Sequence, residues 1–252
     1  MIERVHEAMF HWYRRVGGAS PGGRALEPPG VVAAVVPAAP ERAVANAVLF
    51  KTPAQLEAAY DEVAAAYAEI GANWTVWVQP EGREAATALL AERGHFLDAD
   101  PAAMGRTLAD PPARPPADAL EDWTAQGDMA DVGRVNDHAY PFGTDSWSRA
   151  LGELDLDGMH IYVERRDDEP VACLMIVDSE GHSEVQLVAV VPEARGAGLA
   201  GKLLAHGLAD AAERGSESVT LIATKLGYPV YRRLGFEDVG VFEMWERRAD
   251  QP

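Results

Sequence analysis

The sequence predicts a mixed α/β fold, and three observations support that class. The first is that segments with strand character alternate with segments whose apolar residues recur at helical spacing. The second is the order in the C-terminal half, which runs strand, glycine-rich loop, helix, strand, helix, strand. The third is that the N-terminal half repeats the last part of this order. With 252 residues, the chain is long enough for about two domains with separate cores.

In the C-terminal half, the periodicity of apolar residues defines the elements in turn. It predicts a helix over 128–140, two strands over 159–166 and 169–179 joined by the turn DDE, and a third strand over 183–191. The helix that follows the glycine-rich loop is predicted from an apolar stripe. That stripe consists of Leu199, Leu203, Leu204, Leu208 and Ala211.

Three further elements close this half. We predict a buried strand over 218–224, a short helix over 229–235 that begins at Pro229, and a last strand over 239–248. This succession of strands and helices is typical of a mixed sheet that is covered by helices.

The N-terminal half carries a weaker copy of the same pattern. A helix with one apolar face is followed by a strand over 73–79, a helical segment over 83–96 that resembles "GYPVYRRLGF", and a segment over 102–108 that resembles "FEMWERR". We infer an internal duplication. This copy has no glycine-rich loop, because its strand enters the helix through "KTP". The apolar face consists of Leu56, Tyr60, Val63, Tyr67 and Ile70.

A proline-rich stretch, "ADPPARPPADALEDW" at 109–123, separates the two halves. Prolines this dense prevent a packed helix or a central strand, so the stretch is predicted to be a linker. The expected domains are residues 1–115 and 118–252.

Composition limits the classes of partner. The chain has 22 Lys and Arg residues and 40 Asp and Glu residues, and its net charge of -18 disfavours nucleic acid as a binding partner. It suits a cationic small molecule, or it serves only solubility. No apolar run approaches the roughly 18 residues of a membrane span, and no signal peptide is expected at the N-terminus. With Cys173 as the one cysteine, no intrachain disulfide can form, and we expect a cytoplasmic protein without membrane contacts.

The stretch "GAGLAGKL" at 196–203 nearly satisfies three phosphate-binding patterns. A dinucleotide fingerprint, G-x-G-x-x-G, needs an acid at the end of the next strand, where this chain has Thr224 and Lys225. A Walker A loop needs Ser or Thr after its lysine, and Leu203 stands there. The third pattern, R-x-x-G-x-A from Arg195, fits a strand, a turn and a helix N-terminus that faces an anion. A glycine-rich helix start that binds nothing is the remaining alternative.

The third pattern and its surroundings resemble the GNAT superfamily of N-acetyltransferases. "VQLVAVVPEARGAGLAGKLL" leads into the loop, and "YRRLGF" later supplies Y-x-x-x-G-F. The matching residues are Arg195, Gly198, Ala200, Tyr231, Gly235 and Phe236. The resemblance spans roughly residues 122–248. It implies a GNAT-like acyl-CoA N-acyltransferase domain there, in tandem with a degenerate GNAT-like N-terminal half that has lost the cofactor loop.

The resemblance also implies which residues hold acetyl-CoA as cosubstrate. The pantetheine arm pairs with the strand before the loop, and the N–H of Val188 is placed to donate to the thioester carbonyl. Thr224 stands where the family often has an asparagine that contacts the cofactor, and Tyr231 also lies at this site. The remaining cofactor-binding positions are Leu187, Ala189, Val190, Arg195, Gly196, Ala197, Gly198, Leu199 and Ala200.

Two residues match catalytic positions of the family. Glu184 matches a general-base glutamate, and it shares a strand face with Gln186 and Val188; an exposed strand-end glutamate is the alternative. Tyr231 matches the tyrosine that protonates the departing thiolate, since a hydroxyl with a pKa near ~10 stays protonated at neutral pH. Its alternative is core packing.

The acceptor pocket is implied to lie along residues 136–147. His138, Tyr140, Phe142 and Trp147 would line it, or they fill the core. The histidines lack zinc spacing, so no metal is expected, and Cys173 is predicted to be inert core.

The expected activity is acetyl transfer from acetyl-CoA to an amine of a small molecule, or to a terminal or side-chain amine, by direct attack, in a monomer or homodimer. The rival is a non-catalytic acyl-CoA-binding sensor. A nucleotide-dependent oxidoreductase or kinase is supported only by the coincidences in the loop.

Overall fold

The computed structural model describes residues 1–140, 145–152, 154 and 157–250. The described chain alternates helices with strands, as the sequence predicts. The helices are α1 (Ile2–Ala19), α2 (Pro53–Glu69), α3 (Arg83–Glu92), α4 (Met129–Ala139), α5 (Ser146–Leu151), α6 (Leu199–Glu213) and α7 (Tyr228–Arg233), with a 3₁₀ turn at Pro192–Ala194.

The strands of the described residues form two mixed sheets. They are β1 (Arg24–Leu26), β2 (Val31–Val35), β3 (Ala47–Phe50), β4 (Trp74–Val78), β5 (Phe96–Ala99), β6 (Ala102–Thr107), β7 (Asp122–Thr124), β8 (Met159–Arg166), β9 (Glu169–Ser179), β10 (His182–Val190), β11 (Ser218–Ala223), β12 (Glu237–Val241) and β13 (Glu243–Arg247). The sequence pattern did not predict α1, α5, β1, β2, β5 or β7.

The larger sheet has the strand order β12-β6-β11-β10-β9-β8-β7. Strands β8, β9 and β10 are antiparallel neighbours, whereas β10 and β11 run parallel. A parallel pair needs a crossover connection, and α6 supplies it. The mixed α/β class predicted from the sequence is therefore confirmed.

The second sheet has the order β1-β2-β3-β4-β13-β5. Here β3 and β4 form the parallel pair, and α2 is the crossover. The predicted apolar face of α2 covers this sheet: Leu56, Tyr60, Val63 and Tyr67 are buried. The Tyr67 hydroxyl donates to the carbonyl of Ala34 over 3.0 Å, so its polar end is satisfied inside the core.

The chain folds into two compact units, each assembled from separated segments. The first comprises Met1–Val5, Ala103–Ser148 and Asp155–Val239. Its sheet includes β6, which lies between β11 and β12. The Leu108 N–H donates to the carbonyl of Glu217 over 2.8 Å where β6 ends. A strand that we expected to close the N-terminal half thus completes the sheet of the other half.

The second unit comprises His6–Ala102, Arg149–Leu154 and Gly240–Pro252. Its sheet contains β13 between β4 and β5. The single strand predicted over 239–248 is therefore wrong: it ends at Val241, and β13 begins after Phe242 in the other sheet. The units accordingly divide the chain differently from the expected boundaries at 115 and 118. Periodicity reports which residues are buried, but it does not report which sheet a strand joins.

Helix α4 is fixed to the first sheet by charged side chains. Asp128 caps its N-terminus by accepting from the Asp131 N–H over 2.8 Å. Asp131 is almost fully buried, and its carboxylate pairs with Arg134 on α4 and with Arg165 on β8. Because a buried charge is costly when it loses its partner, this contact fixes the position of α4 against the sheet, and with it the side chain of Asn136.

Fragments of the chain can test whether β6 belongs to the sheet of the first unit. A fragment of residues 101–241 contains β6 and should show a cooperative thermal transition by circular dichroism. A fragment of residues 116–241 lacks a central strand, with the buried side chain of Met104, and should not.

Residues 116–250 serve as the matched control, because β13 belongs to the other sheet. If 116–250 unfolds as cooperatively as 101–241, β13 closes the C-terminal sheet in solution and the exchange is wrong.

Candidate functional site

A cleft opens in the first unit where β10 separates from β11. The two strands are paired only from His182 with Ser218 to Glu184 with Thr220. Beyond Glu184, β10 continues alongside β9, and α6 crosses to β11. The separation leaves the backbone on one edge of β10 without a strand partner in the described pairing, so the groups there that no side chain engages are open to a ligand; the Val190 carbonyl already accepts from Arg195.

A β-bulge interrupts β10 at this cleft. Its pairing with β9 shifts between Gln186 and Ala189, and Leu187 adopts a φ of 50°, which is uncommon for a residue with a side chain. The bulge breaks the alternation of side chains after Gln186. Glu184 and Val188 therefore do not share one regular strand face, contrary to the prediction from period 2.

The cleft has a volume of about 570 Å³. Its floor is the end of β10, and its rim is the glycine-rich loop with the first turn of α6. Gly196 and Gly198 have φ angles of 86° and 74°, and a Cβ at Gly196 would point into open space. Of the predicted cofactor positions, these line the cleft: Val188, Ala189, Val190, Arg195, Gly196, Gly198, Leu199, Ala200, Thr224 and Tyr231.

The N-terminus of α6 has the features of an anion site. Gly198 is the N-cap residue and has no side chain to accept from the first-turn amides. The N–H groups of Leu199, Ala200 and Gly201 have no acceptor within the helix, because the helical ladder begins with Lys202 donating to Gly198. These free donors and the helix dipole favour a phosphate group.

The two cations of the loop are engaged in the protein. Arg195 donates from Nε to the carbonyl of Val190 over 3.1 Å and from Nη2 to that of Ala139 over 2.9 Å. Lys202 donates from Nζ to the carbonyl of Ala119 over 2.8 Å. Their side chains therefore fix the loop to neighbouring segments while their charges stay beside the cleft.

Glu184 lies at the point where β10 and β11 separate. Its side chain is 3% exposed, and Oε1 has no hydrogen-bond partner among the described residues. Burial raises the pKa of this carboxyl to about 8, against the opposing effect of a hydrogen bond from Gln186. The alternative of an exposed strand-end glutamate is wrong. At neutral pH most of the carboxyl is protonated.

Tyr231 is buried at the cleft on α7. Burial, and to a lesser degree Tyr140, raises the pKa of its hydroxyl, so the group stays neutral. Gly227 packs directly on its ring: a Cβ there would lie 3.0 Å from the Tyr231 hydroxyl and 2.8 Å from Cε2. Because Gly227 has an ordinary φ of -76°, space for Tyr231 rather than backbone conformation accounts for this glycine. The motif analysis missed it.

The remaining predicted positions have different surroundings. Leu187 and Ala197 do not line the cleft in the described part of the chain. Thr224 lines it, but its hydroxyl accepts from the Gly227 N–H over 3.1 Å and so caps the turn before α7.

Of the acceptor-pocket candidates, Tyr140 lines the cleft, His138 is exposed beside Glu193, and Trp147 is buried. Phe142 lies outside the described residues. Cys173 is buried, as predicted, and burial raises the pKa of its thiol to about 12.

A buried polar group below the cleft was also missed. His182 contacts the hydroxyls of Ser218 over 3.0 Å and Thr220 over 2.9 Å, and Arg4 donates to Ser218 over 2.7 Å. Burial lowers the pKa of His182 to about 4, so the ring is neutral, and one of its nitrogens accepts from a hydroxyl while the other donates to one. The group ties β10 to β11 immediately before they separate.

The residues that the structure describes lack two other kinds of feature. No group of three or more His, Cys, Asp or Glu side chains is arranged to hold a metal ion within them. No helix among them is both long and apolar enough to cross a membrane.

Comparison with known proteins relates this geometry to a class. Residues 157–238 match the family model described as an acetyltransferase (GNAT) domain. No curated protein matches the chain. A GCN5-related N-acetyltransferase from Kribbella flavida is similar in structure, with a TM-score of 0.67 and 17% identity over 96% of this chain and 94% of that chain.

Two further solved structures are similar. A GCN5-related N-acetyltransferase from Sphaerobacter thermophilus has a TM-score of 0.58 and 20% identity, over 93% of this chain and 80% of that chain. A tandem GNAT protein from the clavulanic acid biosynthesis pathway has a TM-score of 0.54 and 15% identity, over 90% of this chain and 86% of that chain. The chain therefore has the mixed α/β fold of GNAT structures, and its segment 157–238 is similar to a GNAT domain.

The buried carboxyl predicts a pH-dependent cost in stability. The pKa of Glu184 is about 8 in the folded protein against an ordinary 4.5, so the folded state retains a proton that the unfolded chain releases between these values. Stability therefore falls as pH rises from about 5 to about 8, by roughly 1.4 kcal/mol per pH unit at most. The free energy of unfolding of Glu184→Gln, measured with urea, should exceed that of wild type, and the difference should grow over this pH range.

Glu180→Gln is the matched control, because Glu180 is exposed near the same strand. The difference in free energy of unfolding between Glu180→Gln and wild type should not change with pH. A margin for Glu184→Gln that stays constant from pH 5 to pH 8 would show that the carboxyl titrates normally.

Proposed function

We propose that the protein is an acetyl-CoA-dependent N-acetyltransferase whose active site is the cleft of the first unit. One observation carries the proposal: a free strand edge, an uncapped helix N-terminus and a buried tyrosine border one cleft, and a buried carboxyl lies on the same strand, β10, where it separates from β11. The match of residues 157–238 to an acetyltransferase (GNAT) domain supports it.

The residues of the cleft fit acetyl-CoA part by part. The amides of Leu199, Ala200 and Gly201 suit its pyrophosphate. The free edge of β10 from Val188 to Val190 suits the pantetheine arm, whose amides pair like those of a strand. The bound thioester supplies the activated acetyl group.

The side chains supply the proton transfers of a direct attack. Ionised Glu184 takes a proton from the acceptor ammonium, and the free amine then attacks the thioester carbon. As the carbon–sulfur bond breaks, Tyr231 donates its proton to the sulfur, and the proton that the acylated nitrogen then releases restores the tyrosine hydroxyl. A base with a pKa of about 8 is well matched to an alkylammonium group, because its ionised fraction is appreciable near neutral pH.

We further propose that the second unit is a degenerate GNAT-like copy in tandem. Its parallel pair β3–β4 with the crossover α2 has the arrangement of β10–β11 with α6. The start of α2 differs in its chemistry. Thr52 caps it by accepting from the Gln55 N–H over 3.3 Å, and Pro53 has no N–H to offer. This helix start is closed to a phosphate group.

Binding measurements test the cofactor and the unit that holds it. Isothermal titration calorimetry should show one acetyl-CoA per chain, with much weaker binding of NAD and Mg-ATP. Gly198→Asp, which introduces a carboxylate at the phosphate site, should weaken acetyl-CoA by about tenfold or more. Thr52→Asp at the start of α2 is the control and should leave the affinity unchanged. A stoichiometry of two would contradict the degenerate copy, and tighter NAD or Mg-ATP binding would contradict the cofactor.

Kinetics with an accepted amine test the roles of Glu184 and Tyr231. In wild type, kcat/KM should rise with pH and level off near pH 8, where Glu184 ionises. Glu184→Gln should lose about 10²- to 10⁴-fold below pH 8 and show no break there, since only the free amine reacts. Tyr231→Phe keeps the ring packed on Gly227 and should lose a similar factor with acetyl-CoA affinity retained.

If acetyl-CoA binds but a broad screen finds no acetylated amine, the protein is an acyl-CoA sensor. A lower melting temperature with unchanged turnover in Tyr231→Phe would make this tyrosine structural.

A further inference from the structure

Two side chains that take no part in the proposed proton transfers stabilise the bulge in β10. Asn136 on α4 donates from Nδ2 to the carbonyl of Leu187 over 3.3 Å. The Cys173 thiol on β9 donates to the same carbonyl over 3.3 Å. Asn136 is 3% exposed and Cys173 is fully buried, so both contacts are shielded from water.

The two hydrogen bonds to the Leu187 carbonyl determine the direction in which the Val188 N–H points. The carbonyl of Leu187 and the N–H of Val188 belong to one peptide unit, which is planar and trans, and the two groups therefore point in opposite directions. With the carbonyl turned toward α4 and Cys173, the N–H of Val188 points away from them. Val188 is among the residues that line the cleft.

The bulge needs this support, because Leu187 has a φ of 50°. A residue with a side chain seldom adopts that conformation unless its surroundings enforce it. Asn136 is itself oriented: its Nδ2 also donates to the carbonyl of Val132 over 2.9 Å and contacts the Cys173 sulfur at 3.4 Å. Helix α4 in turn is fixed to the sheet through Asp131.

We propose that Asn136 and Cys173 are positioning residues that aim the Val188 N–H at the thioester carbonyl of acetyl-CoA. They touch neither cosubstrate nor acceptor and act through the Leu187–Val188 peptide. The inference rests on the proposed function, because it requires acetyl-CoA in the cleft. It assigns Cys173 a hydrogen bond in place of the inert packing expected from the sequence.

A vibrational measurement tests this without knowledge of the acceptor. Acetyl-CoA carrying ¹³C at the thioester carbonyl is bound to the full chain, and the carbonyl stretch is read by isotope-difference infrared spectroscopy. A hydrogen bond from Val188 lowers this frequency relative to free acetyl-CoA. In Asn136→Leu, which keeps the size but removes the donor, the band should return toward the free value, while the Kd for acetyl-CoA stays within about threefold.

The variants of Cys173 give a graded series. Cys173→Ser retains a hydroxyl donor and should keep the shifted band, whereas Cys173→Ala should lose part of the shift.

With an amine that wild type acetylates, Asn136→Leu should lower kcat by about 10- to 100-fold and leave the KM for acetyl-CoA nearly unchanged. Val135→Ala is the control for lost packing, because Val135 is equally buried on α4. It should lower the melting temperature without moving the band.

The outcomes separate the two proposals. If wild type does not bind acetyl-CoA, the proposed function fails and this inference falls with it. If wild type binds with a shifted band and Asn136→Leu shows the same shift, the inference alone is overturned. The inference also fails if Val135→Ala moves the band as far as Asn136→Leu, since general loosening of α4 would then account for the effect.

Discussion

The site depends on one constraint, namely that β10 pairs with β11 for only three residues and then leaves it. Pairing up to Glu184 joins the two strands across the α6 crossover, and separation beyond it leaves backbone groups of β10 without partners in the sheet. Unpaired backbone groups inside a protein are costly unless water or a ligand satisfies them. The hydrogen bonds of His182 with Ser218 and Thr220 hold the strands together just before the separation. The cleft is therefore a property of the sheet, and the loop and α7 only complete its walls.

Local patterns predicted the elements that border this cleft, but not their partners in space. The helices α4, α6 and α7 and the strands β8 to β11 lie within a few residues of their predicted positions, because each has a clear apolar period and a glycine or proline at its boundary. The exchange of β6 and β13 between the sheets could not be predicted, since both strands present similar short half-apolar patterns and either sheet can bury them. The bulge at Leu187 has no sequence signal either. Leucine does not favour a positive φ, and the groups that enforce it, Asn136 and Cys173, are distant in sequence.

The polar groups of the site carry a cost that the rest of the fold must offset. A carboxyl as buried as that of Glu184 destabilises the folded protein whenever it ionises, and an unpartnered Oε1 adds the loss of a hydrogen bond with water. The buried pair of Asp131 and Arg165 is different, because each charge satisfies the other and the pair fixes α4. Glu164 on β8 is likewise buried with an unpartnered Oε2, so an unsatisfied carboxyl oxygen does not by itself distinguish Glu184. Two properties distinguish Glu184: its position at the last paired residue before β10 and β11 separate, and a pKa that burial raises to about 8, and such perturbed groups are candidates for a chemical role.

The two units show that topology alone does not make such a site. Both have an antiparallel strand, a parallel pair and a crossover helix that starts beside the end of a strand. At α6 the helix start is a left-handed glycine without a capping side chain, and its amides remain available. At α2 the side chain of Thr52 accepts from the backbone and Pro53 removes a donor, so the same position is satisfied internally. A few residues at a helix start thus decide whether its amides are satisfied within the protein or left available, and of these two helix starts only that of α6 leaves them available.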